Sequence, residues 1–299
     1  MKRTVIFLTL IFVLCGFLSN VAFSDEEFLI GVLAKRGPEK CLKKWEPLAK
    51  YLTEKIPGKS FEIVPLSFNA VSPAIDNVEV DFFLVNPSMF MTAKVKYNAS
   101  AVVTMINARQ GQELKSFGGV IITKADNEQI NTLIDIIGNK IMGVKASAFG
   151  GWQVAYKEIM DAGIDPFADC ASIEWGANHD KVVYAVRDGK ADVGTVRTDT
   201  LERMADEGSI KLSEFKIINK KEHQGFPFVC STVLYPEWPF AKVESVSDDV
   251  AKEVAGVLLE MESSDKAAKA AKIMGWTEVL DYEVIETLQK SLKVGAYKE

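Results

Sequence analysis

The chain has 299 residues, and its 35 basic and 41 acidic side chains give a formal charge of −6, which argues against nucleic acid or an anionic membrane surface as partner. Four cysteines, one of them (Cys15) inside the N-terminal apolar run, leave three in the body and so at most one disulfide; no disulfide framework supports the fold. The length beyond that run suits one large domain or two ordinary ones.

Met1-Lys2-Arg3 gives a positive start, Val5 to Leu18 is almost wholly apolar, and Val21-Ala22-Phe23-Ser24 puts small residues where a signal peptidase reads, followed by acidic Asp25-Glu26-Glu27. Residues 1–24 are therefore expected to be a cleaved secretory signal peptide. A membrane anchor needs about 20 apolar residues, more than this run holds. Phe12-Val13-Leu14 lacks the small residues that would mark Cys15 for lipidation. Removing Lys2 and Arg3 leaves 33 basic residues against 41 acidic ones.

Strands and helices then alternate. Phe28 to Leu33 reads as a buried strand, and Lys43 to Lys55 as a helix with Trp45, Leu48, Ala49 and Leu52 on one face. Phe61 to Leu66, Val80 to Val85 and Val120 to Thr123 are further strands, and Lys140 to Val144, Ala171 to Trp175 and Ala191 to Val196 repeat the series. The pattern predicts parallel sheets covered by helices on both faces. Phe226 to Tyr235 reads as another extended segment. Helical patterns follow at Asp248 to Glu262, Asp265 to Met274 and Tyr282 to Leu292.

An internal echo divides the chain. Ala74–Phe90 (AIDNVEVDFFLVNPSMF) aligns without gaps on Ala185–Leu201 (AVRDGKADVGTVRTDTL) at an offset of 111, and Ile30-Gly31-Val32 matches Met142-Gly143-Val144 at 112. Two α/β lobes of similar topology follow. The late helices are expected to return to the first lobe, giving 25–117 plus 232–299 as lobe one and 118–231 as lobe two. The chain then crosses twice, which makes a two-segment hinge.

Ligands of open α/β sheets sit at the carboxyl ends of strands. In lobe one those loops hold Lys35, Ser67 to Asn69, and Asn86, Ser88 and Phe90. In lobe two they hold Ser147, Phe149, Gly150 and Gly151, then Asn178 to Asp180, then Arg197, Thr198 and Asp199. Ser147 to Gly151 precedes a helix expected from about Gly151 to Asp161, whose free N–H groups favour an oxyanion; an ordinary serine-capped helix start fits the same residues. Arg197 suits bidentate contact with an oxyanion, or an ion pair with Asp199 or Glu202. His179 is either a donor to an anion, stronger when protonated, or structural. Asp199 either accepts a ligand proton or caps the next helix. Phe68, Phe90, Phe149 and Trp152 are either apolar walls or core.

The segments LIGVLAKRG (Leu29–Gly37), Trp45-Glu46-Pro47-Leu48, DFFLVNP (Asp81–Pro87), SAFGGW (Ser147–Trp152), HDKVVYAVRDGKADVGTVRTDTLERM (His179–Met204) and LYPEWPFAK (Leu234–Lys242) form one ordered set. Together they resemble the phosphate/phosphite/phosphonate-binding proteins of ABC transporters, on the branch shared with the periplasmic sensor domains of tetrathionate-type histidine kinases. The resemblance covers nearly all of the chain beyond residue 24. It implies a type II periplasmic-binding-protein fold with a small anion between the lobes, a periplasmic location, and a membrane permease or a sensor histidine kinase as partner. By motif, Ser147, His179 and Asp199 are the carried-over ligand residues. Ala148 and Phe149 stand where relatives continue a run of hydroxyls, Phe90 stands where they present a tyrosine, and Arg197 resembles the sensor branch. The expected ligand class therefore includes sulfur oxyanions beside phosphonate and phosphite.

A monomeric binding protein without cofactor or metal is expected. Only two histidines, His179 and His223, are present, and no paired metal-ligand spacing occurs. Ser147, His179 and Asp199 invite a hydrolase reading, but Ser147 lies outside any G-x-S-x-G elbow, and an enzyme is not expected.

Overall fold

The computed structural model describes residues 25–109 and 111–298; the signal peptide expected at residues 1–24 lies outside them. Glu26–Leu33 is buried on both faces from Phe28 onward, as a central parallel strand must be. It pairs in parallel with Lys59–Leu66 on one side and Phe82–Leu84 on the other. Gly31 lies in this strand because a Cβ there would come within 2.7 Å of Leu66 Cδ1.

The first sheet continues through Pro239–Lys242, Ser100–Arg109 and Ile273–Thr277, all antiparallel to their neighbours. The second sheet runs Phe215–Ile218, Gly119–Lys124, Val193–Arg197, Lys140–Gly143 and Ser172–Trp175. Its last three strands are mutually parallel, whereas Gly119–Lys124 runs against both neighbours. The expectation of purely parallel sheets is thus corrected. Pro239–Lys242 and Gly119–Lys124 follow the crossings between sheets, and each runs against the parallel core that it joins.

A two-stranded ribbon, Ser116–Phe117 with Tyr235–Pro236, links the sheets. Phe226 to Tyr235 is not the extended strand expected; it is irregular, with bends at Phe228, Ser231 and Thr232 and one isolated pairing of Cys230 with Lys221, and regular pairing resumes only at Tyr235. The helix expected from Lys43 begins at Pro38, whose fixed φ suits a first helical position. Its buried Trp45, Leu48, Ala49 and Leu52 cover the first sheet. Asp248–Leu259 is capped by the Ser247 hydroxyl, which accepts from the Val250 N–H. Lys266–Ala271 packs on Pro38–Lys55 and against the strand Ile273–Thr277 of the first sheet. That helix stops six residues in, and Ile273 and Met274 belong to a strand.

The echoed segments take equivalent places. The strand Phe82–Leu84 follows the helix Val71–Asp76 and pairs in parallel with Glu26–Leu33; Val193–Arg197 follows His179–Arg187 and pairs in parallel with Lys140–Gly143. Cys41, Cys170 and Cys230 are all free thiols. No helix among the described residues is long and apolar enough to cross a membrane.

Candidate functional site

The strand-end loops of both sheets face one another across a cleft of about 850 Å³. Lys35, His179, Arg197 and Asp199, all singled out in the sequence, line it. Arg197 ends the strand Val193–Arg197 and is 6 % exposed, with its guanidinium 4.1 Å above the Phe117 ring. It is fixed by Glu237, a fully buried carboxylate just past the hinge ribbon, through Nη2 to Oε1 and through Nη1 to Oε2 at 3.4 Å. Its Nε is buried and has no hydrogen-bond partner among the described residues.

Asp199 follows at φ 70°, a left-handed conformation that costs energy in a non-glycine residue. It occupies the N-cap position of the helix Thr200–Asp206, yet its carboxylate does not cap. It turns instead to Arg109, whose Nε donates to Oδ2, and lies 3.9 Å from Arg197 Nε. Burial pushes the Asp199 carboxyl up, but Arg197, Arg109 and Lys35 outweigh it and hold the group below its ordinary value.

His179 opens the helix His179–Arg187, and Asn178 caps that helix by accepting from the Lys181 N–H. The Arg197 backbone N–H donates to His179 Nδ1 at 3.3 Å, which assigns the ring proton to Nε2. Burial, with Lys35 and Arg197 close by, lowers its pKa to about 3. The imidazole is therefore neutral at physiological pH and carries its proton on Nε2, so the stronger, protonated form of donor is not the one present there.

Lys35 lies 5.0 Å above the Trp238 ring, and burial together with Arg197 lowers its pKa to about 8. Lys44, on the helix Pro38–Lys55, lies 4.7 Å above Trp45; burial, Lys35, Arg109 and Arg197 hold it well below its ordinary value. Nine Lys and Arg side chains line the cleft against five carboxylates, in a chain whose overall charge is negative. That is an electropositive pocket suited to concentrating an anion.

Asn178 and Asp180 line the cleft too, whereas Asn86, Ser88, Phe90, Ser147, Phe149, Gly150, Gly151 and Thr198 lie outside its lining. Asn86 caps the helix Pro87–Tyr97 and sends its side-chain amide to the Ser147 carbonyl at 3.2 Å, so these two loops close directly on each other. Phe90 packs edge-on against Tyr282, and Gln289 Nε2 donates to the Ser88 hydroxyl at 2.8 Å, both inside the first lobe. Phe149 is wedged between Phe117 and Tyr235 of the ribbon. Thr198 exchanges hydrogen bonds with Gly118. The helix expected from Gly151 begins as a π-helical turn, Phe149–Gln153, before the α-helix Val154–Asp161. Gly150 and Gly151 lie against the cleft wall from behind: a Cβ on Gly150 would come within 3.1 Å of Arg197 Cβ, and one on Gly151 within 2.9 Å of His179 Cε1.

Arg109, Lys44, Trp238 and Glu237 went unmarked in the sequence. Arg109 ends a strand, Ser100–Arg109, whose apolar run Val102-Val103 and Met105-Ile106 was the available signal. Glu237 lies within the quoted LYPEWPFAK segment, but nothing local says that its carboxylate turns inward.

Residues 30–283 match the family described as ABC transporter, phosphonate, periplasmic substrate-binding protein. The chain belongs to that family. It is 31 % identical over 265 residues to a tetrathionate sensor histidine kinase of Salmonella typhimurium, covering 88 % of this chain and 43 % of the kinase. It is 25 % identical over 207 residues to the phosphate-import protein PhnD of Mycolicibacterium smegmatis, covering 64 % and 62 % of the two chains. The chain thus spans less than two thirds of either relative.

Among solved structures, it superposes on a binding-protein component of an ABC phosphonate transporter from Pseudomonas aeruginosa with a TM-score of 0.69, at 15 % identity over 90 % of this chain and 86 % of the other. It matches PhnD1 of Prochlorococcus marinus in complex with methylphosphonate at a TM-score of 0.70, 14 % identity and 90 % and 98 % coverage. The architecture is the type II periplasmic-binding-protein fold of two α/β lobes joined by a two-segment hinge, in a periplasmic substrate-binding family.

Proposed function

We propose that this protein is a periplasmic component that closes on a small oxyanion, phosphonate-like or sulfur-based, and delivers it to an ABC permease. The observation that carries the reading is the electropositive cleft, whose walls come from both lobes and whose buried Arg197 Nε has no hydrogen-bond partner among the described residues. A buried polar group of that kind calls for an acceptor. We take 25–117 plus 232–299 as one lobe and 118–231 as the other, with cleavage of the leader after Ser24. Binding rather than catalysis accounts for His179 and Asp199, which contact Arg197 and Arg109 and do not activate Ser147.

The second reading is sensory: the protein reports the same ligand to a membrane histidine kinase. The 31 % identity with the tetrathionate sensor kinase, spread over 88 % of this chain, favours it. Purification from membranes with and without ligand, followed by identification of the partner, separates a permease from a kinase.

Thermal shift of residues 25–299 against phosphate, phosphite, methylphosphonate, sulfite, thiosulfate, tetrathionate, nitrate and small carboxylates tests the binding claim. A ligand at 100 times its Kd adds about 2.7 kcal/mol of stability. A hit abolished in Arg197→Ala is the expected result. A shift from amino acids or amines and from no anion would overturn the oxyanion assignment.

A further inference from the structure

The inner cleft cations fall into two classes. Arg109 is paired with Asp199, and Arg197 with Glu237, so each arginine already has its own carboxylate. Lys35 and Lys44 have no ion-pair partner among the described residues; each is laid on a tryptophan of the first lobe, Trp238 and Trp45, which are 8 % and 6 % exposed. Arg36 and Arg203 at the mouth are matched by Asp180 and Glu207. Lys40, Lys43 and Lys272 lie exposed on the rim, where water screens them.

Asp199 and Glu237 face the two arginines, and Glu202, the remaining inner carboxylate, accepts from the Val229 N–H and is held above its ordinary value by burial, so the two lysines of one wall have no carboxylate of their own. Lys35 and Lys44 are half-buried, and a surplus of like charge partly withdrawn from water is costly unless an anion balances it. The indole faces hold the ammonium groups by cation–π attraction without consuming their hydrogen-bond donors, so each amine keeps N–H groups for a ligand.

Resting on the oxyanion reading above, we propose that Lys35 and Lys44, with Trp238 and Trp45 beneath them, form the charge-bearing subsite of the cleft, and that its ligand is a dianion. Arg197 and the Nε2–H of His179 then supply directional contacts from the opposite wall, while the two lysines set the number of charges accepted.

The test is calorimetric titration at pH 7.5 with tetrathionate, thiosulfate, sulfate and hydrogen phosphate as dianions and with nitrate and acetate as monoanions. The wild type is expected to bind at least one dianion, and either monoanion at least tenfold more weakly. Lys35→Met and Lys44→Met should each weaken that dianion by roughly tenfold or more, the usual scale for a charged hydrogen bond. Lys44→Arg should retain affinity within a few fold, which separates lost charge from lost fold. Lys252→Met, the same charge change at an exposed position on the helix Asp248–Leu259, should leave affinity unchanged. A wild type that prefers a monoanion, or a dianion affinity that survives both lysine-to-methionine variants but disappears in Arg197→Ala, overturns the subsite and leaves the cleft reading standing. Absence of any anion binding in the wild type instead overturns the cleft reading, and the subsite with it.

Discussion

Arg36 of the first lobe stands 3.2 Å from Asp180 of the second, across the mouth of the cleft. The same guanidinium reaches Glu207 at 3.4 Å, and Arg203 braces both carboxylates from within the second lobe. Together with the Asn86 to Ser147 carbonyl bond and the Arg109 pair with Asp199, this interlock describes the closed arrangement of the two lobes.

Arg36→Gln should therefore act on closure and hardly on stability. Its side chain is 35 % exposed, and exposed pairs contribute only about 0–1 kcal/mol. Unfolding midpoints should shift little, while small-angle scattering of the ligand-free protein should show a larger radius of gyration than the wild type. An unchanged radius would mean that the mouth pairs do not hold the lobes together.

Glu237→Ala leaves Arg197 buried beside an uncompensated loss, and breaking a buried pair of this kind costs about 3–5 kcal/mol. Urea unfolding should register that loss. The double substitution Arg197→Met with Glu237→Leu removes both charges and should recover most of it. Equal destabilisation in the single and double variants would assign the effect to packing around the ribbon instead.

His179 and Lys35 give pH effects in different windows. The folded His179 pKa of about 3 lies below the ordinary 6.5, so the unfolded chain binds the extra proton first. Stability from this group is complete above pH 6.5 and declines as pH falls toward 3; His179→Gln should flatten that decline in urea unfolding. For Lys35 the window runs from about 8 to 10.5, and there too the unfolded chain holds more protons, so ligand-free stability gains as pH rises through it. An anion in the cleft favours the charged lysine. Affinity should therefore fall above pH 8 while ligand-free stability does not, and calorimetry in buffers of different ionisation enthalpy should record proton uptake on binding.

Gly151→Ala forces a Cβ to 2.5 Å from Val144 Cγ2 and 2.9 Å from His179 Cε1. Overpacking of this order costs about 1–3 kcal/mol, and the displaced imidazole should also weaken anion binding. A variant that loses stability but keeps wild-type affinity would show that Val144 gives way and His179 does not move.

The sequence by itself determined the two-lobed α/β plan. Apolar runs bounded by turn residues set Glu26–Leu33 and Lys140–Gly143 as core strands, and the echo at an offset of 111 placed Phe82–Leu84 and Val193–Arg197 in equivalent positions. These are local signals, because burial on both faces of a parallel strand demands a continuous apolar segment. Lys35, His179, Arg197 and Asp199 were likewise legible as residues at strand ends, where loops of this architecture converge.

Only the tertiary structure decided which strand-end loops stay apart and which meet. Ser147 is bonded to Asn86 and Phe90 lies against Tyr282, whereas Arg109, Lys44, Trp238 and Glu237 come to the cleft from segments far apart in the chain. The direction of the strands after each crossing was also invisible in the sequence, since periodicity records burial and not polarity of pairing. Charge behaved the same way. A chain of net charge −6 carries a positive pocket because folding gathers Lys35, Lys44, Arg109 and Arg197 around two carboxylates, and no composition or spacing records that proximity.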